Sequence, residues 1–457
     1  MLARPEITML RSIPKFVLSA ALIGSGCATH TDRLEEIRSA YHSGNLDEAK
    51  AKIDKAIDGH SREADVLKLD RATVLLTEGQ PKEAEALFRE VRDRFEALEG
   101  KDLAEGALAM LTDDQQLAYA GEDYEKVLIR LMLSLSNLMQ DGSDAGAYAL
   151  QVNQKQQQII ETSKAKDGNG KNLKESYKYV PAGAYLHAVL REETHTNYDD
   201  AQRAFEQVAQ WQPDFAPVKQ DLERVKTGHH SQAGNGVVYV FTFVGRGPRK
   251  VEKMEIVTTA ALLIADRIIS ALGKQSLPPT IAPIKVPVVP RPINSIERLA
   301  IYADGKPAGH TSTITDIGLM ASEQSAATLP DTLARAVVRR VVKKGVIYGV
   351  KEAIHTDQNQ ISSLALNAAG VLWEATESAD TRCWGLLPDK IQVLRIELPA
   401  GEHQLALQPL HVNGSGTPMA PAELVKVSVE NGRNTYVLAN FPENRLTGKI
   451  VTNRPGK

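Results

Sequence analysis

The sequence predicts an α+β protein in which an all-α N-terminal solenoid is followed by a β-rich C-terminal region carrying one or two helices. Apolar residues recur at helical spacing through the first half, β-branched runs take over after His229, and turn residues punctuate the C-terminal stretch. A chain of 457 residues is too long for one core. Its changes of texture divide it into residues 1–26 as a leader, 27–228 as a helical repeat domain, 229–380 as a mixed α/β region and 381–457 as a small β domain.

The leader has the outline of a signal peptide. Arg4, Arg11 and Lys15 give a positive start, and Phe16 to Ile23 form an apolar run far short of the ~20 residues that span a bilayer. Small residues, Gly24-Ser25-Gly26, stand directly before Cys27, which resembles a bacterial lipobox with Gly24 where leucine is usual. The resemblance implies that Cys27 is lipidated and becomes the mature N-terminus, on the periplasmic face of a membrane. Ala28 follows, not the aspartate that retains such proteins at the inner membrane of enteric-type bacteria, so the outer membrane is expected. Cys383 then has no partner for a disulfide and, beside Trp384, is expected to be a buried thiol. Loss of residues 1–26 removes three basic side chains and one acid, taking the net charge from −3 to −5. That acidic balance leaves no electrostatic footprint for nucleic acid.

The helical half repeats with a period near 34 residues. After Gly44 come Leu46, Ala49, Ile53 and Ala56; after Gly79 come Ala84, Phe88 and Val91. Tyr198, Ala201, Phe205, Val208 and Pro213 follow the same scheme, with Tyr185 and Val189 on the facing helix. A weaker unit uses Leu131, Leu135, Leu138, Gly142 and Ala147, and runs into a polar stretch, Gln151–Gln158, expected on a solvated helix face. These are the offsets of tetratricopeptide repeats, in which small Ala sits where two helices approach and stacked pairs share a core lining a groove. Extra material at Gly100–Leu117 and a loop at Lys164–Lys174 make the array irregular.

Beyond His229, Val237–Val244 reads as a strand, ended by the turn around Gly245-Arg246-Gly247-Pro248. Ile256–Leu272 reads as a core helix interrupted by Asp266 and Arg267, and the proline-rich Pro278–Pro292 as an edge strand or polyproline connector. Arg298–Gly305 is strand-like. Thr332–Ile354 returns to helical spacing, with Leu333, Val337 and Val341 on one side and a basic face that includes Arg335, Arg339, Arg340 and Lys343. From Ile391 onward strand patterns alternate with turns, and Asn431-Gly432 between two of them is a hairpin signal. Thr381–Val451 therefore reads as a small antiparallel sandwich or an extension of the preceding sheet. Thr227–Gly236 is the expected hinge between halves that each fold alone, with most partner binding in residues 28–228.

Four phrases in order, Tyr119–Leu128, Gly236–Glu252, Asp380–Pro388 and Leu394–His403, are similar to uncharacterised bacterial lipoproteins with a tetratricopeptide-like N-terminal half. That resemblance implies an envelope assembly and transfers no catalytic residue. Tyr119, Glu122 and Tyr124 are candidates for a partner-binding edge, the alternative being a helix start whose acids suit the dipole. Asp380 and Arg382 read as a structural ion pair beside a buried Trp384.

The chain contains no G-x-S-x-G, H-E-x-x-H or P-loop lysine motif, and His229-His230 are adjacent, not spaced to share a metal. No catalytic residue, cofactor or metal site is expected. The expected role is an interaction scaffold, binding envelope proteins through the helical groove and the membrane through its lipid. The alternative is a module whose basic helix or β domain contacts peptidoglycan or acidic lipid.

Overall fold

The computed structural model describes residues 30–59, 62–105, 117–272, 277, 281–353, 378–412 and 418–456, with backbone alone at 30, 101–105, 272 and 343–353. The expected leader and Cys27 lie outside these residues, as does most of the extra material at 100–117.

Glycines set the turns of the helical half. Gly44, Gly79 and Gly142 take positive φ, the conformation that costs glycine least. They join α1 (His30–His42) to α2 (Leu46–Gly59), α3 (Ala64–Thr77) to α4 (Pro81–Glu105), and α5 (Asp123–Leu138) to α6 (Ala145–Glu161). α7 (Pro181–Glu192), α8 (Tyr198–Trp211) and α9 (Val218–Lys226) follow, and each helix packs on its neighbour in chain order. Ala49, Ile53, Ala84, Phe88, Val91, Ala201, Phe205 and Val208 are closed to solvent, as their spacing requires. The Tyr185 ring stands edge-on to Phe205 at 5.6 Å.

The α5–α6 unit departs from the expected register. Helix α6 resumes three residues after Gly142, where α2 and α4 resume two after their glycines. Ala147 therefore faces out, and Ala145, Tyr148, Ala149 and Val152 face in. Nor is Gln151–Gln158 wholly solvated: Lys155 and Gln156 are buried, Lys155 pairing with Glu99 and Gln156 donating to the Lys178 carbonyl.

The β region is two stacked sheets. One has five strands in the order β11 (Val451–Thr452), β10 (Asn434–Phe441), β1 (Asn235–Arg246), β7 (Pro388–Pro399) and β6 (Ser312–Asp316). The other has four: β5 (Lys306–His310), β4 (Ile296–Ala303), β8 (Gly401–His411) and β9 (Glu423–Val429). The continuous apolar run of β1 is explained by burial on both faces. Val237, Tyr239, Phe241 and Phe243 face the helices, while Val238, Val240 and Val244 face the second sheet. Strand β10 divides in the same way, with Tyr436 and Leu438 toward the helices and Val437, Ala439 and Phe441 toward the sheet. The layers are thus helices, five-stranded sheet and four-stranded sheet.

A side unit is built from α10 (Thr259–Leu272), the paired strands β2 (Val251–Glu255) and β3 (Ile284–Val288), and α11 (Ile317–Ala353). Strand β3 takes the edge role expected of the proline-rich segment. Helix α11 begins well before the expected Thr332 and carries Pro330 inside it. Its first turn is capped by Asp316, whose Oδ1 accepts from the Leu319 amide at 2.8 Å. No helix among the described residues is long and apolar enough to cross a membrane.

Three sequence expectations are corrected. Asn431-Gly432 closes no hairpin: β9 ends in the second sheet and β10 pairs parallel to β1 in the first, so this turn carries the chain between sheets. Residues 229–380 and 381–457 do not separate either, because β1 lies between β7 and β10. Nor do the halves divide at 227–236, since one continuous core runs from Val66 in the helices to Leu438 in the sheet.

Candidate functional site

The segment from Ala379 to Leu387 runs as a strap between the helices and the five-stranded sheet, fixed residue by residue. Arg382 donates from Nε and Nη2 to the two oxygens of Asp380, at 2.9 and 2.8 Å, and from Nη1 to the carbonyls of Arg62 and Leu117. Trp384 is fully buried, its ring 5.5 Å from Phe88 and its indole N–H donating to Thr73 Oγ1 at 3.0 Å. The Trp384 amide donates to Glu125 Oε1 at 2.7 Å, and the Leu386 amide to Asp70 Oδ1 at 2.8 Å. Cys383 lies inside this strap, and burial pushes its thiol up to about 12, so it is an inert thiol. The expected Asp380–Arg382 pair and buried Trp384 are both present.

Glu125 ties the strap to the start of α5. Its Oε2 accepts from the Tyr119 hydroxyl at 2.6 Å and from the Glu122 amide at 3.0 Å, closing a capping box. Lys250 bonds to the Glu122 carboxylate, and Lys250 and Arg382 both lie over the Tyr119 ring, at 5.8 and 5.3 Å. Tyr119 and Tyr124 are buried, which corrects the exposed binding edge expected of them. The hydroxyl of Tyr119 is needed by a buried carboxylate, and Tyr124 belongs to the main core. The helix-start alternative is what the geometry has.

Beside this cluster opens a cleft of about 690 Å³, walled by α4, α5 and α6 on one side and by α11 and the strap on the other. Tyr119 and Glu122 line it, and so does Arg339 from more than two hundred residues away in sequence. Two of the expected patches therefore meet here. Arg340 does not join them; its Nη1 donates to the Ala282 carbonyl at 3.3 Å. The side chain of Lys343 lies outside the described residues.

Among the described residues, seven basic and five acidic side chains line the cleft. Most of the wall charges are fixed by neighbours. Burial pushes the Asp380 carboxyl up, but Lys250 and Arg382 outweigh it and bring it down to about 2. Burial likewise opposes ionisation of Asp123 and Glu99, and Lys174, Lys126 and Lys155 overcome it, holding both below the usual carboxylate range. Lys126 is held above its ordinary value because Asp123 and Glu99 outweigh its desolvation. These carboxylates and Lys126 are thus held in their charged forms by the ions around them. Glu99, Lys126, Lys155 and Lys174 escaped the sequence reading because they come from three helices and a short 3-10 turn (Leu173–Ser176), and no spacing along the chain marks them as neighbours.

Asp70, under the strap, behaves differently. Burial pushes its carboxyl from the ordinary 3.8 up to about 8, so it is uncharged in the folded chain at neutral pH. A folded pKa above the unfolded one means that its contribution to stability is full below about pH 4 and is lost as pH rises to about 8. Asp70→Asn keeps an oxygen for the Leu386 amide and removes that loss. Urea unfolding should find the variant close to the parent at pH 4 and more stable at pH 8.5. At ~1.4 kcal/mol per pKa unit the gain is on the order of a few kcal/mol. Parallel pH profiles for the two proteins would contradict a protonated Asp70.

Comparison with protein-family models, with curated proteins and with solved structures finds no match to this chain.

Proposed function

We propose that this chain is a lipid-anchored envelope protein whose helix pairs form a tetratricopeptide-like array and hold partner proteins at the periplasmic face of the outer membrane. The observation that carries the binding role is the cleft between α4–α6 and α11, in which Asp380, Asp123 and Lys126 are held in their charged forms by their neighbours. Fixed charges of both signs select a partner by complementarity and steer its approach. The anchor rests on Cys27 and the leader before it.

The alternative, contact of the basic helix with wall or acidic lipid, is weakened by what its described cations do. Arg335 is paired with Asp331 at 2.7 Å, and Arg340 is turned to the Ala282 carbonyl. A partner protein docking at the cleft uses residues from both halves, Glu122 and Lys126 as well as Arg339, so binding is not confined to residues 28–228.

Two measurements test this reading. Cys27→Ala should move the protein from the membrane to the soluble fraction, since acyl chains contribute ~0.8 kcal/mol per buried CH₂ and nothing comparable replaces them. Retention of the variant on membranes after a high-salt wash contradicts the anchor. Capture of envelope proteins by the full chain should fall as salt screens the cleft, and fall by about tenfold in Arg339→Glu, since reversing one charge in a complementary interface costs on the order of 1–2 kcal/mol. Equal capture by parent and Arg339→Glu at all salt concentrations removes the cleft from the proposal.

A further inference from the structure

A lipid on Cys27 has little freedom relative to the start of α1. Only Ala28 and Thr29 stand between Cys27 and His30. A fully extended chain covers ~3.3–3.6 Å per residue, so the lipidated residue lies within about 11 Å of the first turn of α1. The part of the protein around that turn is therefore held at the bilayer surface.

Three segments are tied together there. The hydroxyls of Thr31, in α1, and Thr381, in the strap, share a hydrogen bond at 2.8 Å. Two residues before Thr381, the Ala379 amide donates to Glu252 Oε2 of β2 at 2.8 Å. Arg249, just before β2, reaches back to Glu35 of α1 at 2.8 Å. Side chains alternate along a strand, so Met254 stands on the same side of β2 as Glu252, and Ile256 follows directly after the strand. Met254 is 58 % exposed and Ile256 76 %. The charges beside them are matched: Arg249 with Glu35, Lys285 with Glu252 at 2.9 Å, and Lys253 with Glu255 at 2.7 Å. With its ions in pairs, this edge offers acidic lipid no surplus of positive charge.

We infer that the edge formed by the first turn of α1, residues 379–381 of the strap and β2 rests on the bilayer, with Met254 and Ile256 entering a neutral headgroup layer. The inference builds on the lipid anchor at Cys27. Two apolar side chains bury too little surface to hold a soluble protein on a membrane, but a short tether keeps them at high effective concentration, so a weak contact is populated. Asp380 and Arg382 belong both to this stretch of the strap and to the cleft wall, so the contact sets the cleft beside the headgroups.

The test is fluorescence quenching of the full lipidated chain in phosphatidylcholine vesicles that contain a lipid spin-labelled near its headgroup. An environment-sensitive fluorophore is attached at Ile256→Cys or, for comparison, at Leu424→Cys, also exposed but on the outer sheet; Cys383 is buried and does not compete. Quenching at 256 should exceed that at 424 by at least about threefold, since interfacial side chains lie ~5–10 Å into the headgroup boundary. It should persist at high salt and need no acidic lipid. Met254→Asp should leave sedimentation with the vesicles unchanged, because the acyl chains hold the protein, and cut quenching at 256 by at least about twofold. Failure of the parent chain to sediment with vesicles removes the anchor and the contact together. Sedimentation with equal quenching at 256 and 424, or with quenching that Met254→Asp leaves unchanged, overturns the contact alone. So does quenching that requires acidic lipid. A probe at 256 already shielded in the soluble Cys27→Ala chain would also overturn it, since the chain itself would then cover this edge.

Discussion

Residues 30–228 and 229–457, expressed as separate chains, should each fail to reach the native state, and mixing them should restore part of it. The helix-facing side of β1, with Val237, Tyr239, Phe241 and Phe243, shares one core with Phe88, Tyr185 and Phe205. Burying each such side chain contributes ~1.5–3 kcal/mol, so exposing these four alone removes ~6–12 kcal/mol, comparable with the ~5–15 kcal/mol by which a typical domain is stable. Polar ties cross the same junction. Asn440 donates to the Tyr41 hydroxyl at 2.7 Å, the Lys449 amide to the Thr77 carbonyl at 2.9 Å, and the Asn434 amide to Glu193 at 2.9 Å. Near-ultraviolet circular dichroism and thermal melting decide the matter. A sharp cooperative melt of isolated 229–457 would mean that the sheets are sufficient without the helices.

Trp384→Ala should destabilise the intact chain by ~3–5 kcal/mol, the usual cost of removing a fully buried large aromatic side chain. The substitution opens a cavity against Phe88 and strips Thr73 Oγ1 of its indole donor. Trp384→Phe, which keeps a ring but loses the N–H, should cost distinctly less. Urea unfolding of the three proteins gives both numbers. A loss below ~1 kcal/mol for the alanine variant would show that the strap relaxes into the gap, and that it is not the pin between helices and sheet.

The elements themselves were legible in the sequence to an unequal degree. Helix pairs were readable because Ala49, Phe88 and Ala201 repeat at spacings set by local geometry, and β1 because an unbroken apolar run of that length has few other uses. What escaped was pairing. Asn431-Gly432 carries a local hairpin signal, but the partner of β10 is chosen by burial on two faces, and β1 lies almost two hundred residues upstream. Helix α11 was read as starting too late because Pro330 looks like a boundary, although Ile317 and Ala321 ahead of it are core residues. The candidate cleft was half visible: Tyr119, Glu122 and Arg339 were singled out in two separate patches, and only the fold joins them. Tyr119 and Tyr124 were misjudged because a tyrosine beside acids has the same composition whether it faces water or feeds its hydroxyl to a buried Glu125.

The parallel pairing of Val237–Val244 with Asn434–Phe441 also governs how the chain can be made. The strand at residues 237–244 must wait for one made almost two hundred residues later before its edge is closed. Until then the growing chain exposes an apolar ribbon with free backbone donors and acceptors, the kind of edge that recruits other chains. A stop codon before residue 434 would leave that ribbon permanently open, so such truncations should accumulate as aggregate, with no shortened functional protein.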